Sequence, residues 1–287
     1  MSETPDWFWQ AVETAAESGR IEVQDCDIHY LSWSAPGNPG LLFVHGHNAH
    51  AHWWDFIAPS FKDRYQVVAL DLSGMGDSDH RDKYSVDLYA AEIIAVADEL
   101  QMPQDTVVVA HSFGGMMALR AVARRKDRFN GLILVDSGVR HPDEIKERDR
   151  EPERWTKPKI YPDRQTAISR FRLQPPQQCE NQYIVDHIAR NSVEFDEDGW
   201  VWKFDPEQGS RMQSSGDLED DLKSVRCRIA LIYGEQSESF SARSAAYMKE
   251  LQPALAIYPI EDAQHHLFLD QPLVFIETVK SILDQWQ

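Results

Sequence analysis

The chain has 287 residues, room for one large domain or two small ones. Hydrophobic residues make up 42%, with only 14 Gly and 15 Pro, which excludes a disordered or low-complexity polymer. The 47 acidic side chains against 29 basic ones leave a formal charge of −18, so nucleic acid and anionic membranes are repelled as partners.

Three widely spaced cysteines, Cys26, Cys179 and Cys227, form no disulfide or zinc pattern. There is no basic-then-apolar leader and no run of about 18 apolar residues, so the expectation is a cytoplasmic protein. A small molecule is the expected partner, no cofactor motif is visible, and the oligomeric state is left open.

In chain order, TPDWFWQAV reads as a short amphipathic helix over a core. Three apolar runs then suit buried parallel strands: LLFVHG from Leu41, YQVVALDLSG from Tyr65 and TVVVAHS from Thr106. Between the last two, Val86 to Leu100 has helical periodicity, with Leu88, Ala91, Ile94, Ala95 and Leu100 as the expected buried face. MMALRAVARR is a second helix, and GLILVDSG from Gly131 a further strand. After a gap the alternation resumes: RIALIYGE as strand, AAYMKEL as helix, ALAIYPI as strand. PLVFIETVKSILDQW closes the chain as a helix opened by Pro272. Apolar strands alternating with helices predict an α/β fold with a mostly parallel central sheet flanked by helices.

Residues 140–221 break the pattern. They are rich in Arg, Asp, Glu, Pro and Gln, with helical stretches such as RQTAISRFRL and NQYIVDHIARN and no buried strand. They read as a helical cap inserted after the strand ending at Asp136, between a first core part, 1–139, and a second, 222–287. An insertion at the carboxyl end of a strand covers the place where α/β sheets bind ligands. Trp155, Tyr161, Trp200, Trp202 and Phe204 give it aromatic side chains for a pocket.

The chemistry concentrates at Ala110-His-Ser-Phe-Gly-Gly115, where a buried strand runs into a helix through a serine flanked by small residues. This resembles the nucleophile elbow, G-x-S-x-G, of the α/β-hydrolase superfamily, with Ala110 in place of the first glycine. The resemblance implies Ser112 as nucleophile. A serine needs a base. The late segment IEDAQHHLFLDQP resembles the superfamily's histidine loop, in which the histidine precedes an acidic-x-Pro cluster, here Asp270-Gln-Pro272. That spacing selects His265 over His266.

The third member departs from the pattern. The usual acid stands in a G-x-x-Asp segment after the strand preceding the histidine loop, and here the segment is Gly234-Glu-Gln-Ser237. Glu238 or Glu235 could serve nearby. The resemblance also offers Asp136, since some relatives carry their acid after that middle strand, and Asp136 is the first choice with Glu238 as alternative. The loop His45-Gly-His-Asn48 resembles the family's H-G-x-x segment and implies backbone N–H groups of His47 and Phe113 as the oxyanion hole. Asp71-Leu-Ser-Gly-Met-Gly-Asp-Ser78 resembles the D-x-x-G-x-G-x-S turn, with Ser73 and Met75 in place of the usual Arg and His.

His45, His47, His50 and His52 approach an H-x-H-x-D-H zinc motif, but Ala49 stands where the carboxylate ligand belongs, and no metal is expected. Trp53, Trp54, Trp200 and Trp202 are the candidate pocket residues. The combined expectation is a serine hydrolase that cleaves a carboxylic ester, or a lactone or thioester, of a small apolar or aromatic substrate through an acyl-enzyme. Three alternatives stand beside it: a C–C bond hydrolase of the same fold, a cofactor-independent oxygenase using His265 and Asp136 without the serine, and a ligand-binding protein without catalysis.

Overall fold

A computed structural model describes residues 4–33, 37–148, 159–213 and 216–287; Trp155 lies outside them. Eight strands form the central sheet: β1 (Glu17–Glu22), β2 (Asp27–Ser32), β3 (Gly40–Val44), β4 (Gln66–Leu70), β5 (Val107–His111), β6 (Gly131–Val135), β7 (Arg228–Gly234) and β8 (Ala256–Ile260). Their spatial order is β1-β2-β4-β3-β5-β6-β7-β8. β1 pairs with β2 and β2 with β4 antiparallel, and all other neighbours run parallel.

Every residue of β3, β4, β5 and β6 is buried, which is why they read as unbroken apolar runs. Alternate side chains divide between two cores. Phe43, Val109, Ile133 and Ile232 pack on one side with the helices Asp6–Val12 and Pro272–Gln285. Val44, Val108, Leu134 and Leu231 pack on the other with the helices Val86–Glu99, Ser112–Arg124 and Ala242–Leu251. β8, at the sheet edge, is mostly half-buried, and Pro259 sits there where a missing N–H costs no central ladder bond.

Two expectations need correction. Helix Val86–Glu99 buries Tyr89, Ala90, Glu92, Ile93, Val96 and Ala97, one position off the expected face; Leu88, Ala91, Ile94, Ala95 and Leu100 are only half-buried. The polar tips of Tyr89 and Glu92 disguised the buried stripe. Glu92 lies inside because Arg81 Nε donates to it at 2.9 Å and the Ser73 N–H at 3.0 Å.

The inserted stretch is also not purely helical. Beside the helices Arg164–Ser169 and Gln182–Asn191, it holds an antiparallel hairpin, Val193–Asp196 with Gly199–Trp202. Its far limb is stitched to the core. The Gly76 N–H donates to the Lys203 carbonyl at 2.9 Å, the Asp205 N–H to Gly74 at 2.7 Å, and Met212–Gln213 pairs with Tyr84–Ser85.

Candidate active site

Ser112 is the first residue of the helix that follows β5, and its φ is +51°. That conformation is uncommon for a residue with a Cβ, and it persists because the surroundings hold it. The Ser137 hydroxyl donates to the Ser112 carbonyl at 2.5 Å. Close approach explains the glycines: a Cβ on Gly114 would lie 2.1 Å from the His45 carbonyl oxygen, and one on Gly115 2.3 Å from Ser137 Oγ. Ala110 is tolerated at the first motif position because its methyl packs into the core beside Val44 and Leu134, its register partners.

His265 lies between Ser112 and Asp136. Its Nε2 is 2.9 Å from Ser112 Oγ, and its Nδ1 is 2.6 Å from Asp136 Oδ2. A carboxylate only accepts, so Nδ1 carries the proton and Nε2 is left to accept from the serine hydroxyl. The His111 ring supports the loop from below, donating from Nε2 to the His265 carbonyl at 3.0 Å. Asp270 ties the loop's entrance, accepting the Gln264 N–H at 2.8 Å. His266 meets His265 edge to face, ring centroids 4.9 Å apart, and burial pushes both His111 and His266 well below the ordinary imidazole range.

Asp136 follows β6 with φ +45°. Burial raises its pKa to about 7, opposed by the Ser237 hydroxyl, the Gly234 N–H and the charge of Arg140. The Gly234 N–H reaches Oδ1 at 3.1 Å and Ser237 Oγ–H reaches Oδ2 at 2.7 Å. The segment that lacks the usual acid therefore supplies two hydrogen bonds to the carboxylate that His265 meets. Glu238 and Glu235 are exposed to solvent.

The loop of His45 crosses directly over the serine: a Cβ on Gly46 would lie 2.8 Å from His111 Nδ1 and 3.3 Å from Ser112 Cβ. His45 is buried, its Nδ1 2.7 Å from the Gly46 carbonyl while Nε2 accepts the Leu72 N–H at 2.9 Å. Phe113 is in the first helical turn, where N–H groups have no intrahelical acceptor. The Asp71 turn braces this loop from behind. The Asp71 carboxylate accepts N–H groups of Ala51 at 2.5 Å and Asp77 at 2.9 Å, and despite burial its pairing with His29 at 2.7 Å holds it well below the usual carboxylate range.

The four loop histidines take separate partners. His45 meets Leu72, His47 Nε2 meets Gln208 at 2.7 Å, His50 Nε2 meets Ser192 at 2.7 Å, and His52 Nδ1 meets Asp55 at 2.8 Å. Among the described residues, none of the four joins a cluster of three or more groups placed to share an ion.

A cavity of about 300 Å³ opens onto Ser112, His265, His47 and Trp53, with Arg140, Gln174 and Pro175 on its wall. A second, of about 30 Å³, shares His47, Trp53 and Gln174 with it and adds Phe171, Trp202 and Phe204. Trp53 and Trp202 thus face the cavities. Trp54 is fully buried against Phe43, Phe268 and Phe275 and lines neither, and Trp200 packs with Phe195 on the hairpin. Gln174, Gln208 and Ser237 escaped the sequence reading, because a lone amide or hydroxyl in a polar stretch carries no pattern.

A family model described as the alpha/beta hydrolase family matches residues 41–278. The chain is 27% identical to esterase Rv0045c of Mycobacterium tuberculosis, over 97% of this chain and 96% of that one. Two solved structures share the fold. E-2-(acetamidomethylene)succinate hydrolase superposes with a TM-score of 0.78 at 18% identity, over 94% of this chain and 100% of that one. The thioesterase domain from the curacin biosynthetic pathway gives 0.76 at 24%, over 93% and 99%.

Proposed function

Since the chain belongs to the alpha/beta hydrolase family, we propose that it is a serine hydrolase that cleaves a carboxylic ester, or a related acyl bond, of a small substrate through an acyl-enzyme. That it is a hydrolase follows from its relatives. The observation that carries the finer reading is the unbroken path from Ser112 Oγ to His265 Nε2 at 2.9 Å and from His265 Nδ1 to Asp136 at 2.6 Å. The ester bond is favoured by the esterase that aligns over nearly the whole chain.

His265 Nε2 takes the proton of Ser112 Oγ as the oxygen attacks the substrate carbonyl. Backbone N–H groups of His47 and Phe113 hold the oxyanion of the tetrahedral intermediate. As the C–O bond breaks, His265 gives the proton to the departing alkoxide, which leaves as the alcohol. Water then attacks the acyl-serine, His265 takes its proton, and the collapsing intermediate returns that proton to Ser112 as the carboxylic acid departs. Asp136 fixes the imidazole tautomer and stabilises the imidazolium formed in both halves. None of these steps calls for a cofactor.

The inserted residues 140–221 act as the cap. Trp202, Phe171 and Phe204 fit an apolar or aromatic group beside the scissile bond, and Trp53 sits where the two cavities meet. Among the described residues no helix is long and apolar enough to cross a membrane, and the three cysteines are free, which fits a reducing, cytoplasmic setting.

Intact-mass measurement after exposure to a fluorophosphonate tests the reading. One adduct mapped to Ser112, absent from Ser112→Ala and His265→Ala, is expected, with turnover of p-nitrophenyl butyrate lost in both. A folded wild type that neither labels with a small probe nor turns over esters overturns it. Turnover of another substrate that survives Ser112→Ala points instead to an oxygenase, and tight binding without product to a receptor.

A further inference from the structure

We infer that Gln208, in the cap, is a positioning residue for the oxyanion hole, so that the hole is assembled only while the cap limb is docked. The inference rests on the serine-hydrolase reading. Gln208 lies in the four-residue helix Gln208–Arg211 and is 3% exposed. Its side-chain oxygen accepts from His47 Nε2 at 2.7 Å, and its amide nitrogen donates to the Tyr89 hydroxyl at 2.5 Å. Tyr89 in turn donates toward the Ser73 carbonyl at 3.4 Å, and burial pushes its phenol up, keeping it protonated.

Both partners of this one amide pack against the same ring. Phe113 lies 5.4 Å from the His47 ring and 5.3 Å, edge to face, from Tyr89. His47 and Phe113 are the two residues whose N–H groups are assigned to the oxyanion. A single carboxamide therefore ties together the side chains that flank both donors, and it belongs to neither of their elements.

Gln208 itself is anchored by the limb that crosses the core. The Met75–Phe204 bridge and the Asp205 N–H bond to Gly74 precede it, and Met212–Gln213 beside Tyr84–Ser85 follows it. Lifting the limb withdraws the amide from His47 and Tyr89 together. Oxyanion stabilisation depends on donors fixed in advance, so the loss appears in turnover rather than in ground-state binding.

The test compares wild type with Gln208→Met and Gln208→Glu on p-nitrophenyl butyrate, with turnover referred to the fluorophosphonate-titrated active sites. Gln208→Met keeps the length and loses both hydrogen bonds; a displacement of about 1 Å in a donor predicts a kcat roughly 10- to 100-fold lower, with KM changed less than about threefold. Affinity for phenylboronic acid, which mimics the tetrahedral state, falls in parallel. Gln208→Glu still accepts from His47 and recovers most of kcat. In a His47→Phe background, Gln208→Met lowers kcat by a smaller factor than in wild type, because only its bond to Tyr89 is left to lose. A Gln208→Met enzyme whose kcat per titrated site stays within about twofold of wild type overturns the inference, whatever its melting temperature, and leaves the serine-hydrolase reading standing. A wild type that neither labels nor turns over overturns both.

Discussion

Removing the Ser237 hydroxyl should move the acid side of the pH–rate profile without lowering its plateau. In the proposed mechanism Asp136 has to be ionised to stabilise the imidazolium of His265, and burial has already raised it to about 7. Three donors oppose that rise by favouring the charged form: His265 Nδ1–H at 2.6 Å, Ser237 Oγ–H at 2.7 Å and the Gly234 N–H at 3.1 Å. In Ser237→Ala the second is lost. A hydrogen bond to a charged group contributes about 1.5–3 kcal/mol, which is roughly one to two pKa units. The shift is upward, because the lost bond favoured the carboxylate. The apparent pKa on the acid limb of kcat/KM belongs to the Asp136–His265 pair and should rise by that amount. At pH 6 the variant then runs roughly 10- to 100-fold below wild type, and at pH 9.5 the two converge to within about threefold. The assay is ester hydrolysis from pH 5 to 10 under kcat/KM conditions. Ser237 Oγ also accepts the N–H groups of Ser239 and Phe240 at 3.2 Å, so a melting temperature measured alongside separates local loosening from titration. A limb that moves less than about 0.3 units, with the loss uniform across pH, would refute the reasoning.

Asp136→Asn should lower kcat by about 10⁴ while Glu238→Gln stays within about twofold of wild type, both measured as ester turnover. A burial-raised acid contributes stability that is fully present below its unfolded value of 3.8 and lost as pH rises through about 7. The melting temperature of Asp136→Asn at pH 8 should therefore equal or exceed that of wild type. Gly114→Ala should be destabilised by at least about 2 kcal/mol in urea unfolding, because the added methyl meets the His45 carbonyl, which is backbone and cannot swing aside.

The core was legible because its signals are dense. Four consecutive fully buried strands leave no polar alternation, and the elbow packs strand, serine and helix into nine residues. Positions that every member of a constellation must share, such as Ser112 and the His265 loop, could be found by spacing. The N-terminal antiparallel pair β1–β2 was not predicted, since most of β1 is exposed and carries no apolar stripe. The hairpin Val193–Trp202 was missed for a related reason: its aromatic side chains meet partners such as Tyr161 and Phe171 that are remote in sequence. Trp53 and Trp54 show the limit most plainly. They are adjacent and identical, yet one lines the cavities and the other is sealed in the core, because they sit on different faces of a single 3₁₀ turn, Ala51–Trp54.

β6 and β7 lie side by side, yet β6 ends at Val135 and β7 begins at Arg228. Closing a loop costs entropy only logarithmically, so shrinking these roughly ninety residues to about ten would change the closure cost by about 2 kcal/mol. The sheet is thus nearly indifferent to the length of what is threaded between those strands. Asp136 is the first residue after β6 and Ser237 follows the end of β7, and the two are joined by a hydrogen bond. The relay can keep its geometry while the intervening polypeptide is lengthened, shortened or exchanged. On the proposed function, substrate range and acyl-transfer chemistry are therefore separable cassettes in this chain. Grafting a foreign insert between Arg140 and Asp221 is the natural way to redirect it, provided the graft brings its own equivalent of Gln208.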